Sequence, residues 1–251
     1  MLKRILRRAA APEAPSRLPD GRRVYAVGDV HGCATQLAAL LDLIVADDKA
    51  RPPAHTSVIL LGDLVDRGPD SAGVIARAIE LRDGPFEARF LAGNHEEMML
   101  GAYDGEPEAL RGFCRNGGRE TLLSYGLSPG DYERLDYTEV AAAMQALVPA
   151  AHVAFLRDME DMVRIGDYAF VHAGVRPGVA LDEQSVRDLR WIRRSFMEHE
   201  GRHEQVIVHG HTIEPAPANR RWRIGIDTGA YTGGPLTALV LDGDERTFLS
   251  A

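Results

Sequence analysis

Three apolar runs in the first hundred residues each stop at a glycine that precedes a side chain able to bind a metal ion. The runs lie at 24–27, 57–61 and 89–92, and they end in Gly28-Asp29, Gly62-Asp63 and Gly93-Asn94-His95. Segments with helical periodicity separate them, at 35–45 and 71–81. Alternating strands and helices are typical of βαβ units, whose parallel strands end at one edge of the sheet. The pattern therefore predicts an α/β fold with a candidate site at that edge.

Strand-like runs resume after residue 160. Those at 168–171 and 205–208 lead into His172 and into His209-Gly210-His211. The intervening stretch 97–160 contains helical patches joined by glycine-containing turns, which predicts a helical cap inserted over the sheet. We expect residues 1–22 to form an irregular basic tail and residues 23–251 to form a single catalytic domain. Further strands are predicted at 223–227, 236–241 and 245–249.

The polar side chains at these junctions share one chemical character, because carboxylate, imidazole and amide groups all bind divalent cations. A single aspartate after a strand is usually a turn or cap residue. Five junctions that all end in such groups are improbable as turn chemistry alone. The set contains no thiolate, and it therefore suits ions such as Mn, Fe or Zn. Its members are Asp29, His31, Asp63, Asp66, Asn94, His95, His172 and His211.

Charge and cysteine content exclude several classes of protein. Lys and Arg total 29 against 37 Asp and Glu, so the net charge is −8, which argues against a general nucleic-acid binder. Cys33 and Cys114 are too few for a disulfide framework and suggest free thiols in the cytoplasm. No apolar run is long enough to span a membrane. The basic start, 1–8, lacks the apolar core of a secretory signal.

The glycine-flanked blocks resemble the signature motifs of the metal-dependent phosphoprotein phosphatases, within the calcineurin-like metallophosphoesterase superfamily. The resemblance spans about residues 24–240, and the compact size resembles the bacterial serine/threonine phosphatase branch and lambda phosphatase. It implies an α/β sandwich of two facing mixed β-sheets flanked by helices. Strand–helix alternation alone would equally suit one doubly wound sheet. The matching blocks are Gly28-Asp29-Val30-His31-Gly32, Gly62-Asp63-Leu64-Val65-Asp66-Arg67-Gly68, Gly93-Asn94-His95-Glu96, Val171-His172-Ala173-Gly174 and Gly210-His211-Thr212.

The resemblance implies a centre of two divalent ions, with Mn²⁺ expected first and Fe or Zn as alternatives. By analogy, Asp63 bridges the ions. Many members of the superfamily have a second histidine two residues after the one matching His211, but this chain has Ile213 there. The implied ligands of the first ion are Asp29, His31 and Asp63, and those of the second are Asp63, Asn94, His172 and His211.

The resemblance also implies hydrolysis by direct attack of a metal-bridging hydroxide on phosphorus. His95 would be the general acid, and Asp66 would orient it. Arg67 would bind the phosphate oxygens through its guanidinium fork. A second phosphate-binding arginine is expected in the stretch 188–194, where Arg193 is preferred and Arg194 is the alternative.

Three further residues are weaker candidates for the neighbourhood of the substrate. Asn116 begins an Asn-Gly-Gly-Arg segment that resembles a substrate-side loop of bacterial members, although a plain turn explains it equally well. Tyr231 is expected to line the mouth of the site. Asp227 is expected to support a metal ligand.

These residues lead to a cytoplasmic, metal-dependent phosphatase that acts on phosphoserine and phosphothreonine in proteins. The alternatives within enzymes are hydrolysis of dinucleoside polyphosphates, such as diadenosine tetraphosphate, and hydrolysis of a small phosphomonoester. A non-catalytic scaffold is disfavoured because the expected ligands and the acid are all present. A nuclease is disfavoured by the acidic charge. The oligomeric state stays open.

Overall fold

The computed structural model describes residues 15–251, and the basic stretch 1–8 lies outside them. The described chain forms ten strands. The first three and the last two supply one sheet, and the remainder supply the other. In chain order they are β1 (Arg22–Val27), β2 (His55–Leu60), β3 (Glu87–Phe90), β4 (Met162–Ile165), β5 (Tyr168–Val171), β6 (Val206–His209), β7 (Ala218–Asn219), β8 (Arg223–Gly225), β9 (Thr237–Asp242) and β10 (Glu245–Ser250).

Both sheets are mixed and have five strands. The first has the order β10-β9-β1-β2-β3, and the second has the order β4-β5-β6-β8-β7. Strands β1, β2 and β3 are parallel, as are β5, β6 and β8. Strand β9 is antiparallel to both β1 and β10, β4 is antiparallel to β5, and β7 is antiparallel to β8. The expectation of two mixed sheets is confirmed.

Helices connect the strands and cover the sheets. Two of them link the parallel strands of the first sheet, and most of the others lie between β3 and β4. The described helices are α1 (Ala34–Ala50), α2 (Ser71–Arg82), α3 (Asn94–Tyr103), α4 (Pro107–Arg115), α5 (Gly118–Ser124), α6 (Pro129–Tyr132), α7 (Tyr137–Leu147), α8 (Ala150–Arg157), α9 (Val186–Trp191) and α10 (Arg194–Met197).

Alternation along β1 explains why two sheets face each other. Val24 and Ala26 point into a buried cluster with Phe170 and Val208 of the second sheet. Tyr25 lies on the opposite side, in a cluster with α1, α2 and the helices that follow β3. Because successive side chains of a strand point to opposite faces, each sheet has one face in the sandwich and one against helices.

The observed ends of several helices and strands differ from the predicted ones. Helix α1 continues to Ala50, beyond the predicted end at residue 45, because its polar last turns are held by side chains outside the helix. Asp47 accepts a hydrogen bond from the Tyr25 hydroxyl at 2.6 Å, and Asp48 pairs with the buried Arg23 at 2.8 Å. Strand β3 lies two residues earlier than expected, since Leu91 forms only an isolated bridge to Glu160.

The described part of the predicted tail contacts the domain. The Leu18 side chain is fully buried between the sheets, and its backbone N–H donates to the Gly243 carbonyl at 2.9 Å. The Ser16 carbonyl accepts from the Tyr168 hydroxyl. Residues 15–21 precede the first strand without forming a helix or strand of their own.

Across residues 15–251, no single helix is both long and apolar enough to cross a membrane. The pair α7 and α8 meets that criterion only when the two are counted together across a 100° bend. Both cysteines are free.

Candidate metal centre

The candidate ligands meet where the parallel strands of both sheets end. Asp29 and His31 follow β1, Asp63 follows β2, and Asn94 begins α3 directly after β3. His172 and His211 follow β5 and β6 from the opposite sheet. The two sheets approach so closely here that a Cβ on Gly28 would lie 2.3 Å from the Ile226 carbonyl oxygen. Strand ends that are far apart in sequence therefore surround one buried space.

Backbone strain is concentrated at this centre. Left-handed φ values are uncommon for non-glycine residues and cluster at functional sites. In the described chain, every non-glycine residue with positive φ is a predicted site residue. They are His31 (φ 43°), Asp63 (50°), Asp66 (72°), Arg67 (67°) and His211 (62°).

Gly68 allows the strained turn after β2 to pack against the strained turn at His31, after β1. A Cβ at this position would lie 2.0 Å from the His31 carbonyl oxygen, so Gly68→Ala must displace backbone on both sides. We expect this variant to lose about 3 kcal/mol of unfolding free energy, which is roughly 6–12 °C in Tm. Thermal unfolding tests this. Gly130→Ala is the control, since its Cβ would meet only Arg134 at 3.9 Å and its Tm is expected to stay unchanged or rise slightly.

A Tm of Gly68→Ala equal to that of the wild type would show that the turns adjust without cost. That result would contradict the rigid packing described here.

Two buried clusters of potential ligand atoms share one carboxylate. His31, Asp63 and His95 form the first, and Asp63, His172 and His211 form the second, with ligand atoms within 4.8 Å of one another in each. The His31 Nε2 atom is 3.5 Å from Asp63 Oδ2, and His172 Nε2 is 3.3 Å from Asp63 Oδ1. The arrangement is consistent with a binuclear metal site, and Asp63 is the carboxylate that the two clusters share.

The tautomers of two histidines suit metal binding. The Nδ1 atoms of His31 and His172 lie 2.8 Å from the carbonyl oxygens of Val65 and Leu61. A carbonyl can only accept, so each Nδ1 carries a proton and donates it. In the neutral ring the Nε2 lone pair then points into the centre, as a metal ligand requires.

Without a cation, the second cluster holds buried polar groups whose charges and hydrogen bonds are not satisfied. The His172 Nε2 atom lies 3.1 Å from Asn94 Oδ1 and 3.2 Å from His211 Nδ1. Burial lowers the pKa of His172, but the charge of Asp63 and their hydrogen bond raise it to about 10. Burial and the charge of His172 lower the pKa of His211 to about 2, and its buried Nε2 has no hydrogen-bond partner. These residues therefore fit divalent cations.

Asp29 lies beside the clusters without belonging to either of them. Its carboxylate accepts from the His211 backbone N–H at 3.0 Å. Burial and the nearby charge of Asp227 raise the pKa of Asp29 well above its ordinary value. Asp227 is itself buried and accepts from the Gly229 N–H at 3.0 Å. The role of Asp29 as a ligand, and that of Asp227 as its support, stay predictions.

His95 and Asp66 form the expected buried pair. The His95 Nδ1 atom is 2.7 Å from Asp66 Oδ2, and its Nε2 atom faces Asp63 at 3.9 Å. Burial lowers the pKa of His95, but the charge of Asp63 and the bond to Asp66 raise it above the ordinary value. An imidazolium at this position can donate a proton. His95 also belongs to the first cluster, so the geometry offers it a ligand role as well.

Positively charged side chains border the clusters. Arg67 donates to His31 Nε2 at 3.0 Å, and its guanidinium lies 4.8 Å from the centre of the Tyr231 ring. Tyr231 also contacts the His31 ring, with the ring centres 5.0 Å apart, and its place at the mouth of the site stays a prediction. The charge of Arg193 contributes to the low pKa of His211, whereas Arg194 pairs with Glu198 on the surface. The preference for Arg193 over Arg194 as the second phosphate-binding arginine stays a prediction.

Asn116 does not reach the ligands. Its side-chain amide donates to the Gly112 carbonyl at 2.8 Å and so caps the end of α4. The following residue does contact the site, because the Gly117 carbonyl accepts from the Arg67 N–H at 3.1 Å. A substrate-binding role for Asn116 stays a prediction.

Sequence reasoning missed the structural role of Glu96. This fully buried carboxylate accepts from the backbone N–H groups of Asp63 and Gly93 at 2.8 Å and of Leu64 at 2.7 Å. It therefore fixes the turn that holds the shared aspartate. The signal in the sequence is an acidic residue at the third position of a helix that starts after glycine, where its side chain can accept from the N-cap N–H.

Two facing mixed sheets with paired His/Asp clusters at their strand ends define a metal-dependent phosphoesterase. The chain belongs to the calcineurin-like phosphoesterase family, whose model matches residues 22–235. A crystal structure of a putative diadenosine tetraphosphatase has the same fold. It superposes with a TM-score of 0.63 at 22% identity, over 91% of this chain and 93% of that one.

Curated relatives fall into two groups by name. Serine/threonine-protein phosphatase 1 of Salmonella typhimurium is 30% identical over 225 residues, which are 86% of this chain and 90% of that protein. The asymmetrical bis(5'-nucleosyl)-tetraphosphatase PrpE of Bacillus velezensis is 28% identical over 84% of this chain and 86% of that protein. The symmetrical bis(5'-nucleosyl)-tetraphosphatase of Acidovorax sp. (strain JS42) is 34% identical over 64% of this chain. The match covers 47% of that enzyme, about half its length.

Proposed function

We propose that this chain is a phosphomonoesterase that removes phosphate from phosphoserine and phosphothreonine in proteins. The observation that supports the choice of a protein substrate is one relationship, which slightly exceeds in identity and coverage the 28% over 86% of its length found for the asymmetrical tetraphosphatase PrpE. The Salmonella phosphatase is 30% identical to this chain over 90% of its own length. The symmetrical tetraphosphatase of Acidovorax is matched over only 47% of its length.

The residues around the clusters supply the remaining functions of such an enzyme. Arg67 and Arg193 bind phosphate oxygens, and His95 delivers a proton to the leaving oxygen while Asp66 orients it. The chain's own residues thus place two arginine side chains and one proton donor around one phosphate group. Two divalent ions held by the clusters, with Mn²⁺ expected first, would lower the pKa of a shared water and offset the phosphate charge.

The charge distribution is compatible with a phosphate on a flexible substrate. The net charge is −8, and two divalent ions would change it to −8 + 4 = −4. Asp29, Asp63 and Asp66 contribute to the negative total but lie buried in the site. The two ions, with Arg67 and Arg193, would place positive charge at the centre. Such a surface disfavours long polyanions more than a single phosphate.

Hydrolysis of dinucleoside polyphosphates is the second candidate. The names of two of the three relatives favour it. A cleft between α3 and α9 leads to Ile192, next to Arg193. The Trp191 indole in this cleft is 38% exposed, and its N–H donates to Glu97 at 3.1 Å. An exposed indole is suited to stacking on a nucleotide base.

A comparison of substrates separates the two candidates. With Mn²⁺ present, we expect kcat/KM on a phosphothreonine peptide to exceed that on diadenosine tetraphosphate by roughly tenfold, or about 1.4 kcal/mol. Addition of a chelator is the control and is expected to abolish both activities. A larger kcat/KM on the nucleotide would overturn the choice of substrate. No hydrolysis of either compound, or of 4-nitrophenyl phosphate, would overturn the enzymatic function itself.

A further inference from the structure

The turn that carries Asp66 and Arg67 needs support from outside itself. Both residues have left-handed φ values, 72° and 67°. A non-glycine residue in that region costs on the order of 1–3 kcal/mol and persists only where its surroundings hold it. Since Asp66 contacts His95, a small rotation of this turn would move the proton donor away from the clusters.

Helix α5 supplies that support through the hydroxyl group of Thr121. This side chain is fully buried. Its Oγ1 atom is 2.7 Å from Asp66 Oδ1 and 2.9 Å from the Asp66 backbone nitrogen. The carboxylate can only accept and the N–H can only donate, so the single hydroxyl proton goes to Oδ1. One side chain therefore fixes both the backbone and the carboxylate of Asp66.

The other carboxylate oxygen of Asp66 holds the proton donor. Oδ2 lies 2.7 Å from His95 Nδ1, so Thr121, Asp66 and His95 form a continuous buried chain. The Ser71 hydroxyl joins it from α2, 3.0 Å from Thr121 Oγ1 and 3.0 Å from the Asp66 nitrogen. Each of these groups has partners, which leaves little freedom to reorient.

The segment before Thr121 is fitted to the same turn. Gly117 has φ of 104°, and a Cβ there would lie 2.6 Å from the Arg67 nitrogen. Its carbonyl accepts from that nitrogen at 3.1 Å. Gly118 lies against the fully buried Phe113 ring, which a Cβ would approach to 2.5 Å. The start of α5 is thus packed directly on the Asp66–Arg67 turn.

We propose that Thr121 is a positioning residue, whose hydroxyl group holds Asp66 so that His95 faces the leaving oxygen of the substrate. The inference rests on the proposed function, because it assigns proton delivery to His95. It extends that function to the helical insertion, which would then contribute to the chemical step as well as to the fold.

Leaving-group dependence distinguishes positioning from a general structural role. Phenyl phosphate needs a proton on its leaving oxygen, whereas 2,4-dinitrophenyl phosphate releases a stable anion without one. Thr121→Val keeps the shape of the side chain and removes the hydroxyl. We expect kcat to fall about 10- to 100-fold on phenyl phosphate and less than about threefold on 2,4-dinitrophenyl phosphate, with KM nearly unchanged. Thr121→Ser restores the hydroxyl and is expected to restore kcat.

Thr56→Val is the matched control. Its hydroxyl also donates to a carboxylate, that of Asp48 at 2.7 Å, but this pair lies at the start of β2, the end of the strand away from the centre. We expect this variant to retain wild-type kcat on both substrates. Thermal unfolding checks that every variant is folded. Thr121→Ala removes the hydroxyl without a new methyl contact, and the same expectation applies to it if the valine variant fails to fold.

An equal loss on both substrates, or a serine variant as impaired as the valine variant, would overturn the positioning role. The proposed function would be unaffected by either result. A wild-type protein that hydrolyses neither aryl phosphate would instead overturn the proposed function.

Discussion

Asp63→Asn is expected to lower kcat on a phosphopeptide by about 10³-fold or more, which corresponds to about 4 kcal/mol. Asp63 is the only described residue that belongs to both ligand clusters, so its loss affects every ion that they bind. The Asp63 carboxylate accepts a hydrogen bond from the His95 backbone N–H at 3.0 Å. The asparagine keeps an oxygen for this bond but removes the negative charge. Charges on His172 and His95 hold the pKa of Asp63 well below its ordinary value, although burial acts to raise it. The wild-type group is therefore a carboxylate.

Initial rates on a phosphopeptide at saturating Mn²⁺, with thermal unfolding as a check on folding, measure this effect. The control is Asp83→Asn, which changes an exposed carboxylate at the end of α2 and is expected to leave kcat unchanged. If Asp63→Asn is folded and retains more than a tenth of wild-type kcat, the shared carboxylate is not central to hydrolysis.

His95→Asn is expected to lower kcat on a phosphoserine peptide by about 10²- to 10⁴-fold, the usual contribution of general acid catalysis. The loss should be much smaller on 2,4-dinitrophenyl phosphate, whose leaving group departs without a proton. The variant removes the imidazole that Asp66 orients and leaves Asp63, His172 and His211 in place. The number of bound ions should therefore not change.

Kinetics on both substrates, together with metal analysis of the purified variant, test this expectation. His55→Asn is the control, because His55 is an exposed histidine at the start of β2. A variant that loses one bound ion, and loses activity equally on both substrates, would instead make His95 a metal ligand. His95 belongs to the first cluster of potential ligand atoms, so the geometry also allows it to bind an ion.

Sequence patterns were sufficient to predict the edge at which the site forms. Asp63 and His172 each follow a short apolar strand, and parallel strands bring such positions together however far apart they are in sequence. The facing of the two sheets was accessible only through the family resemblance. The part of the chain that ends with β3, with three parallel strands and two helices, is equally compatible with one wound sheet.

Contacts that support the centre from the helical insertion were not predictable from the sequence. Thr121 lies 55 residues after Asp66, and apart from the Asn-Gly-Gly-Arg segment just before it, nothing distinguishes it from an ordinary helical threonine. Asn116 had the more suggestive motif, yet its side chain caps α4. Such tertiary contacts depend on how α4 to α8 pack on α2 and α3, which periodicity does not determine.

The most direct test of the central claim is the number of divalent ions bound per chain. Metal-free protein titrated with Mn²⁺ in a calorimeter, and analysed for metal after gel filtration, should bind two ions. Asp63→Asn should bind neither ion at the concentrations that saturate the wild type, because both clusters lose their common carboxylate. Wild-type protein that binds no divalent ion, or an Asp63→Asn variant that still binds two with unchanged affinity, would contradict the account.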